Sequence, residues 1–115
     1  MRQTLANDKI DSKAAKYIEN YHAEVVKEVI SAVEKNEIVV VGMKQNPFVG
    51  KARKLLDEKN KHYTYLEYGS YLSQWKQRLA IKLWSGWPTY PQIFIKGKLV
   101  GGYNDLLTYF EINQK

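Results

Sequence analysis

Trp87-Pro88-Thr89-Tyr90-Pro91-Gln92-Ile93-Phe94-Ile95-Lys96-Gly97-Lys98-Leu99-Val100-Gly101-Gly102 is the stretch that decides the fold. Proline has no N–H to give to a ladder, so Pro91 fits the first residue of a strand. Gln92 to Lys96 reads as that strand, Gly97 as a turn residue, and Lys98-Leu99-Val100 as its hairpin partner. Gly101-Gly102 closes the unit. A cis peptide at Tyr90-Pro91 would turn the chain sharply and leave the Tyr90 N–H and C=O open. An extended peptide could pair with such an edge.

Working outward, Ile38 to Val41 is a β-branched run of the length of a buried strand. Gly42 to Gln45 reads as loop. Asn46-Pro47 then opens a helix, since Asn is a favoured N-cap and Pro a favoured first residue. Ala52, Leu55 and Leu56 face inward along it, and Asn60 stops it. Tyr63 to Glu67 has strand composition. Gly69-Ser70 breaks it. Ser70 is expected to cap a helix with Leu72, Trp75, Leu79 and Leu83 on its apolar face, ended by Gly86 and Pro88. Asn104 is expected to cap a last helix carrying Leu106, Leu107 and Phe110. At the other end, Asp11 or Ser12 caps a helix over 12–36, with Ala14, Ile18, Tyr21, Val25, Val29 and Val33 on one face.

The order α, β, α, β, α, β, β, α predicts one α/β domain with a mixed sheet of four strands flanked by helices. Its strand–helix–strand unit requires parallel pairing through a right-handed crossover. Residues 1–11 are expected to be frayed. Residues 12–115 form the domain: an added N-terminal helix over 12–36, and a core over 38–112.

Composition narrows the chemistry. The chain of 115 residues carries 18 Lys and Arg against 12 Asp and Glu, a formal net charge of +6. That balance favours anionic partners. The basic runs are short, Lys51-Ala52-Arg53-Lys54 and Lys59-Asn60-Lys61, and read as solvated helix faces, which argues against nucleic acid. No apolar run is long enough to span a membrane. The first residues lack the apolar stretch of an export signal, so a cytoplasmic location is expected. There is no cysteine, hence no disulfide, thiolate ligand or thiol nucleophile. His22 and His62 lack metal-ligand spacing, so no metal is expected.

The stretch 87–102 resembles the glutaredoxin family. It is most similar to the monothiol, Cys-Gly-Phe-Ser branch, in which Trp-Pro-Thr-aromatic-Pro-Gln is followed by Lys-Gly and Leu-Val-Gly-Gly. The resemblance implies a thioredoxin-like fold over about residues 38 to 112, and a glutathione site. In that site Thr89, Tyr90 and Pro91 match the segment whose backbone pairs with the cysteinyl part of glutathione. Gly102, Tyr103, Asn104 and Asp105 match the turn that holds the γ-glutamyl end, with N–H groups on the carboxylate and Asp105 on the ammonium. Arg78, eleven residues before Thr89, and Lys82 match basic residues that face the glycyl carboxylate. Charge-assisted bonds of this kind contribute about 1.5 to 3 kcal/mol each. Taken alone, Arg78 and Lys82 also read as solvated helix residues.

The active site is where the chain departs from the family. A glutaredoxin carries Cys-Pro-Tyr-Cys or Cys-Gly-Phe-Ser at the helix start; this chain has Asn46-Pro47-Phe48-Val49. Asn46 and Val49 stand at the thiol positions. Lys44 is only two residues before Asn46 and is a further candidate to face the pocket. Disulfide exchange needs a thiolate, and so does a bridging iron–sulfur cluster. The resemblance therefore implies binding of glutathione, a glutathionylated protein or another γ-glutamyl ligand, with no catalytic residue, metal or cluster. Two other readings stay open: an interaction domain for a protein partner on the same frame, and an electron-transfer or disulfide oxidoreductase role by descent.

Overall fold

The computed structural model describes residues 2–113. Met1 and residues 114–115, which belong to the expected 1–11 and 12–115 spans, lie outside them. After a single 3-10 turn at Asn7–Lys9 the elements are α1 (Ser12–Asn20), α2 (Ala23–Lys35), β1 (Ile38–Gly42), α3 (Pro47–Glu58) and β2 (Thr64–Glu67). They continue with α4 (Trp75–Ser85), β3 (Gln92–Ile95), β4 (Lys98–Gly101) and α5 (Tyr103–Ile112). No helix among the described residues is long and apolar enough to cross a membrane.

The four strands form one mixed sheet in the order β2-β1-β3-β4. β1 runs parallel to β2, with Val39 opposite Thr64, and antiparallel to β3, with Val41 opposite Gln92. β3 and β4 form the expected hairpin. Every residue of β1 is buried. Successive side chains of a strand point to opposite faces. Val39 and Val41 join Val29 of α2, Ile81 of α4 and Phe94 on one face. Ile38 and Val40 join Ala52 and Leu56 of α3, and Leu106 and Phe110 of α5, on the other. A strand buried on both faces needs a helical layer on each side, and the chain supplies two helices to each.

Three expectations are corrected. The N-terminal helix over 12–36 is two helices. His22 adopts a left-handed backbone (φ 45°, ψ 42°), which no helix continues through, and its ring meets Tyr21 edge-on at 4.8 Å. α1 buries no side chain, so Ala14 and Ile18 stay exposed while Val25, Val29 and Val33 pack on the core. Ser70 does not cap α4. It makes a local turn in which Leu72 N–H donates to Ser70 Oγ at 3.2 Å and Ser70 N–H donates to Ser73 Oγ at 3.1 Å. The helix starts after Gln74, so the expected stripe was counted across non-helical residues. Leu72 is 96% exposed, Trp75 and Leu83 are also exposed, and the buried side of α4 is Arg78, Ala80 and Ile81.

The last helix begins two residues earlier than expected. Gly102, not Asn104, is its N-cap, and the Asp105 carboxylate accepts the Gly102 N–H at 2.9 Å. The glycine has no side chain to return the bond, so this is half of a capping box.

The register of α4 has a direct test. Ile81→Ala removes a fully buried side chain and is expected to cost about 2 to 5 kcal/mol of unfolding free energy. Leu72→Ala should stay within about 0.5 kcal/mol. Urea denaturation of the two variants measures both.

Candidate functional site

Sheet topology brings three chain segments to one end of the sheet. β3 is antiparallel to β1, so the entry to β3 lies beside the exit from β1. β4 is antiparallel to β3, so its exit into α5 lies there too, with Gly101 opposite Ile93. The N-termini of α3 and α5 and the Trp87–Pro91 loop therefore meet. Between them is a groove of about 650 Å³.

Asn46 lines it at the start of α3. Its Oδ1 accepts the N–H groups of Phe48 and Val49 at 2.9 and 3.1 Å, capping α3. Its Nδ2 donates to the Tyr90 carbonyl at 3.4 Å. One carboxamide thus links the start of α3 to the residue before Pro91. The Tyr90–Pro91 peptide is cis. The Tyr90 carbonyl, expected to be open, already has this partner. Val49 is turned away from the groove and buried. A Cβ on Gly42 would come within 2.8 Å of Val49, so the glycine is what lets this helix sit so close to β1.

The Trp87–Pro91 loop is held by a buried amide. Gln92 is fully buried; its Nε2 donates to the Trp87 carbonyl at 3.0 Å and its Oε1 accepts from Ser85 Oγ at 2.8 Å. Ser85 Oγ in turn accepts the Trp87 N–H at 3.0 Å. The Tyr90 side chain points into the core, and its hydroxyl donates to the Arg78 carbonyl at 2.5 Å. Burial pushes this phenol well above its ordinary range, and the Arg78 charge opposes that shift with a smaller lowering.

Arg78 is buried, contrary to the solvated alternative. Its Nη1 donates to the carbonyls of Tyr68 and Ser73 at 2.8 and 2.6 Å, bracing the loop between β2 and α4. Arg78 also lines the groove. Its first task is therefore structural, and only the remainder of the guanidinium can face a ligand. Lys82 lines the groove with its Nζ 5.6 Å from the Tyr90 ring centre.

At the α5 end the Gly102 N–H is occupied by Asp105, which corrects the expectation that it is free for a carboxylate. The first intrahelical bond runs from Leu106 N–H to the Gly102 carbonyl. The N–H groups of Tyr103 and Asn104 precede it and have no helical acceptor. They form a positive helix end suited to an anion.

Thr89, Tyr90, Pro91, Gly102, Tyr103, Asn104, Asp105, Arg78 and Lys82 all line one groove. Lys44 does not. Its side chain is exposed, and its backbone N–H donates to the Gly69 carbonyl at 2.7 Å, which fixes it in the loop beside β2. Trp87 and Pro88 of the same stretch line the groove as well, and so do Met43, Phe48 and Tyr71, which sequence reasoning missed. Phe48 follows Pro47 and stays 48% exposed, an apolar signal that could have found it. Trp87 Nε1 is a buried donor without a partner, and it lies 3.8 Å from where a Gly102 Cβ would be.

A family model described as Glutaredoxin matches residues 38–100. The chain belongs to the glutaredoxin family. It is 50% identical over 98 residues to a glutaredoxin-like protein of Dictyostelium discoideum, covering 85% of this chain and 78% of that one. Glutaredoxin-3 of Bos taurus is 31% identical over 64% of this chain, which spans only 22% of that longer relative. Among solved structures, the buckwheat glutaredoxin–glutathione complex superposes with a TM-score of 0.71 at 21% identity, over 84% of this chain and 87% of that one. The sheet and its helices are thus a thioredoxin-like glutaredoxin fold, as expected from the Trp87 to Gly102 stretch.

Two measurements probe this site. Asn46→Ala removes the cap of α3 and its link to Tyr90, and a loss of about 0.5 to 2 kcal/mol is expected in thermal or urea unfolding, with Asn46→Asp restoring the capping part. Alkali should unfold the protein. Burial, with a smaller contribution from the Glu67 hydrogen bond, raises Tyr65 to about 12, and Tyr68 and Tyr90 are raised further. Their contribution is fully present below about pH 10 and falls as the pH climbs, that of Tyr65 being lost through about 12 and those of Tyr68 and Tyr90 at higher pH still. Melting temperatures and tyrosinate absorbance should fall and rise together across that window.

Proposed function

We propose that this glutaredoxin-family chain binds glutathione, a glutathionylated peptide or another γ-glutamyl ligand in the groove beside Pro91, and performs no thiol–disulfide exchange. The observation that carries this reading is Asn46. It occupies the family's thiol position, and both ends of its carboxamide are engaged inside the protein. An amide cannot attack a disulfide sulfur, and the sequence holds no cysteine to replace it. For the same reason no thiolate of this chain is available to an iron–sulfur cluster.

The groove keeps features that suit a small anionic peptide. Tyr103 and Asn104 offer unpaired N–H groups, and Lys82 adds a positive charge. Asp105 lies at the same end and could meet an ammonium while keeping the Gly102 N–H on one oxygen. The buckwheat relative, similar in fold, was solved as a complex with glutathione, which supports glutathione as the first ligand to test.

NMR titration with reduced and oxidised glutathione is expected to move the amides of Thr89, Tyr90, Tyr103 and Asn104 saturably. Unmoved amides at millimolar ligand would defeat the binding half of the proposal. In a glutathione-dependent disulfide reduction assay the protein should match buffer; turnover above buffer defeats the other half. Asn46→Cys should gain exchange activity, with the thiol held below its ordinary pKa by the α3 N-terminus.

A further inference from the structure

A second hollow, of about 610 Å³, lies between α1, α2 and α4 and shares no lining residue with the groove beside Pro91. α1 contributes Tyr17 and Ile18, α2 contributes Val26 and Ile30, and α4 contributes Leu83 and Trp84. Tyr17, Ile18, Leu83 and Trp84 are large apolar groups left in water, and Val26 and Ile30 between them are half-buried. Tyr17 is 69% exposed, Ile18 58% and Leu83 64%. Such a patch on three neighbouring helices marks an interaction surface. α1 belongs to it for a structural reason: the left-handed His22 swings this helix off the line of α2, and α1 buries none of its own side chains.

The shape selects a helix. The sheet's edge strands are β2 and β4, and neither lines the hollow. Backbone N–H and C=O groups of the helical walls are bonded within their own helices. An extended peptide laid there would leave its backbone unpaired against apolar side chains, whereas a helix satisfies its own. α4 has eleven residues, about 16 Å of helix, which matches a partner of about three turns.

Charge selects the partner's flanks. Tyr17 and Tyr21 also line an adjoining hollow with Lys13, Lys16 and Lys76. With Lys27 of the first hollow, the two together present four lysines against one carboxylate, Glu19. A second copy of this chain would bring the same lysines and a net charge of +6, so like charges oppose self-association here.

We propose that the α1–α2–α4 hollow docks an acidic amphipathic helix of a partner protein, with apolar anchors at i, i+4 and i+7 and Asp or Glu beside them. A displayed library of helical peptides about 14 residues long, selected on the full chain, tests this. Enriched peptides should carry the apolar spacing and an acidic bias. Their binding should shift the Trp84 indole resonance and weaken with salt. It should fall about tenfold in Leu83→Glu, in Ile18→Glu and in the double variant Lys16→Glu, Lys27→Glu. These side chains line the surface, and circular dichroism confirms that each variant is folded. The proposal is overturned by failure to enrich, by enrichment without acidic bias, or by binding that Leu83→Glu leaves unchanged. A dimer in sedimentation that Leu83→Glu dissociates also overturns it, since a second copy would then fill the hollow.

Discussion

The burial of β1 on both faces is the constraint from which the rest of this structure follows. Ile38 to Gly42 cannot reach water on either side, so the chain must cover each face with helices. It does so with α2 and α4 on the Val39–Val41 side and with α3 and α5 on the Ile38–Val40 side. The same strand must satisfy its backbone on both edges, and it pairs parallel with β2 and antiparallel with β3. Once β1 is central and β3 runs against it, the starts of α3, β3 and α5 have no other place to be than one end of the sheet. The groove is a consequence of strand direction before it is a consequence of any groove residue.

What the groove can do depends on how its polar groups are already partnered. Asn46 bridges α3 to Tyr90, Gln92 clamps Trp87 through Ser85, and Arg78 ties two carbonyls of the β2–α4 loop. These are neutral or cationic groups bonded to backbone, at modest cost in exposure. They tie the walls together: Arg78 holds both ends of the β2–α4 loop, and the Trp87–Pro91 loop is held at Trp87 by Ser85 and Gln92 and at Tyr90 by Asn46. A wall built in this way favours a ligand that fits as it stands, because little ordering remains for binding to impose.

Much of this was legible because the relevant chemistry is local. Asn46-Pro47 carries its capping function in two adjacent residues, and Ile38–Val41 declares its burial by having no polar alternation. The Trp87 to Gly102 stretch contains strand entry, hairpin turn and helix start in sequence. The errors fall where local chemistry underdetermines the backbone. His22 takes a left-handed conformation without being glycine, so nothing in the sequence announced the break between α1 and α2. Ser70 has the right type for a cap but uses its hydroxyl in a turn with Ser73, and this shifted the register assigned to α4. The resemblance implies Arg78 as a ligand contact; that its Nη1 is engaged by Tyr68 and Ser73 depends on a loop whose course only the fold defines.

The amide of Asn46 also decides which helix ends stay positive. The N-terminus of α3 would ordinarily lend its free N–H groups to an anion standing there. Here Oδ1 of Asn46 accepts two of them, so the helix is closed by a neutral group. The start of α5 is capped differently. Asp105 takes only the Gly102 N–H, and the donors of Tyr103 and Asn104 are left over. The donors left for an anion along the groove lining are therefore those at the start of α5, with Lys82 as a further positive group of the same groove. The residue that faces the groove from the start of α3 is a hydrogen-bonded amide, not a nucleophile.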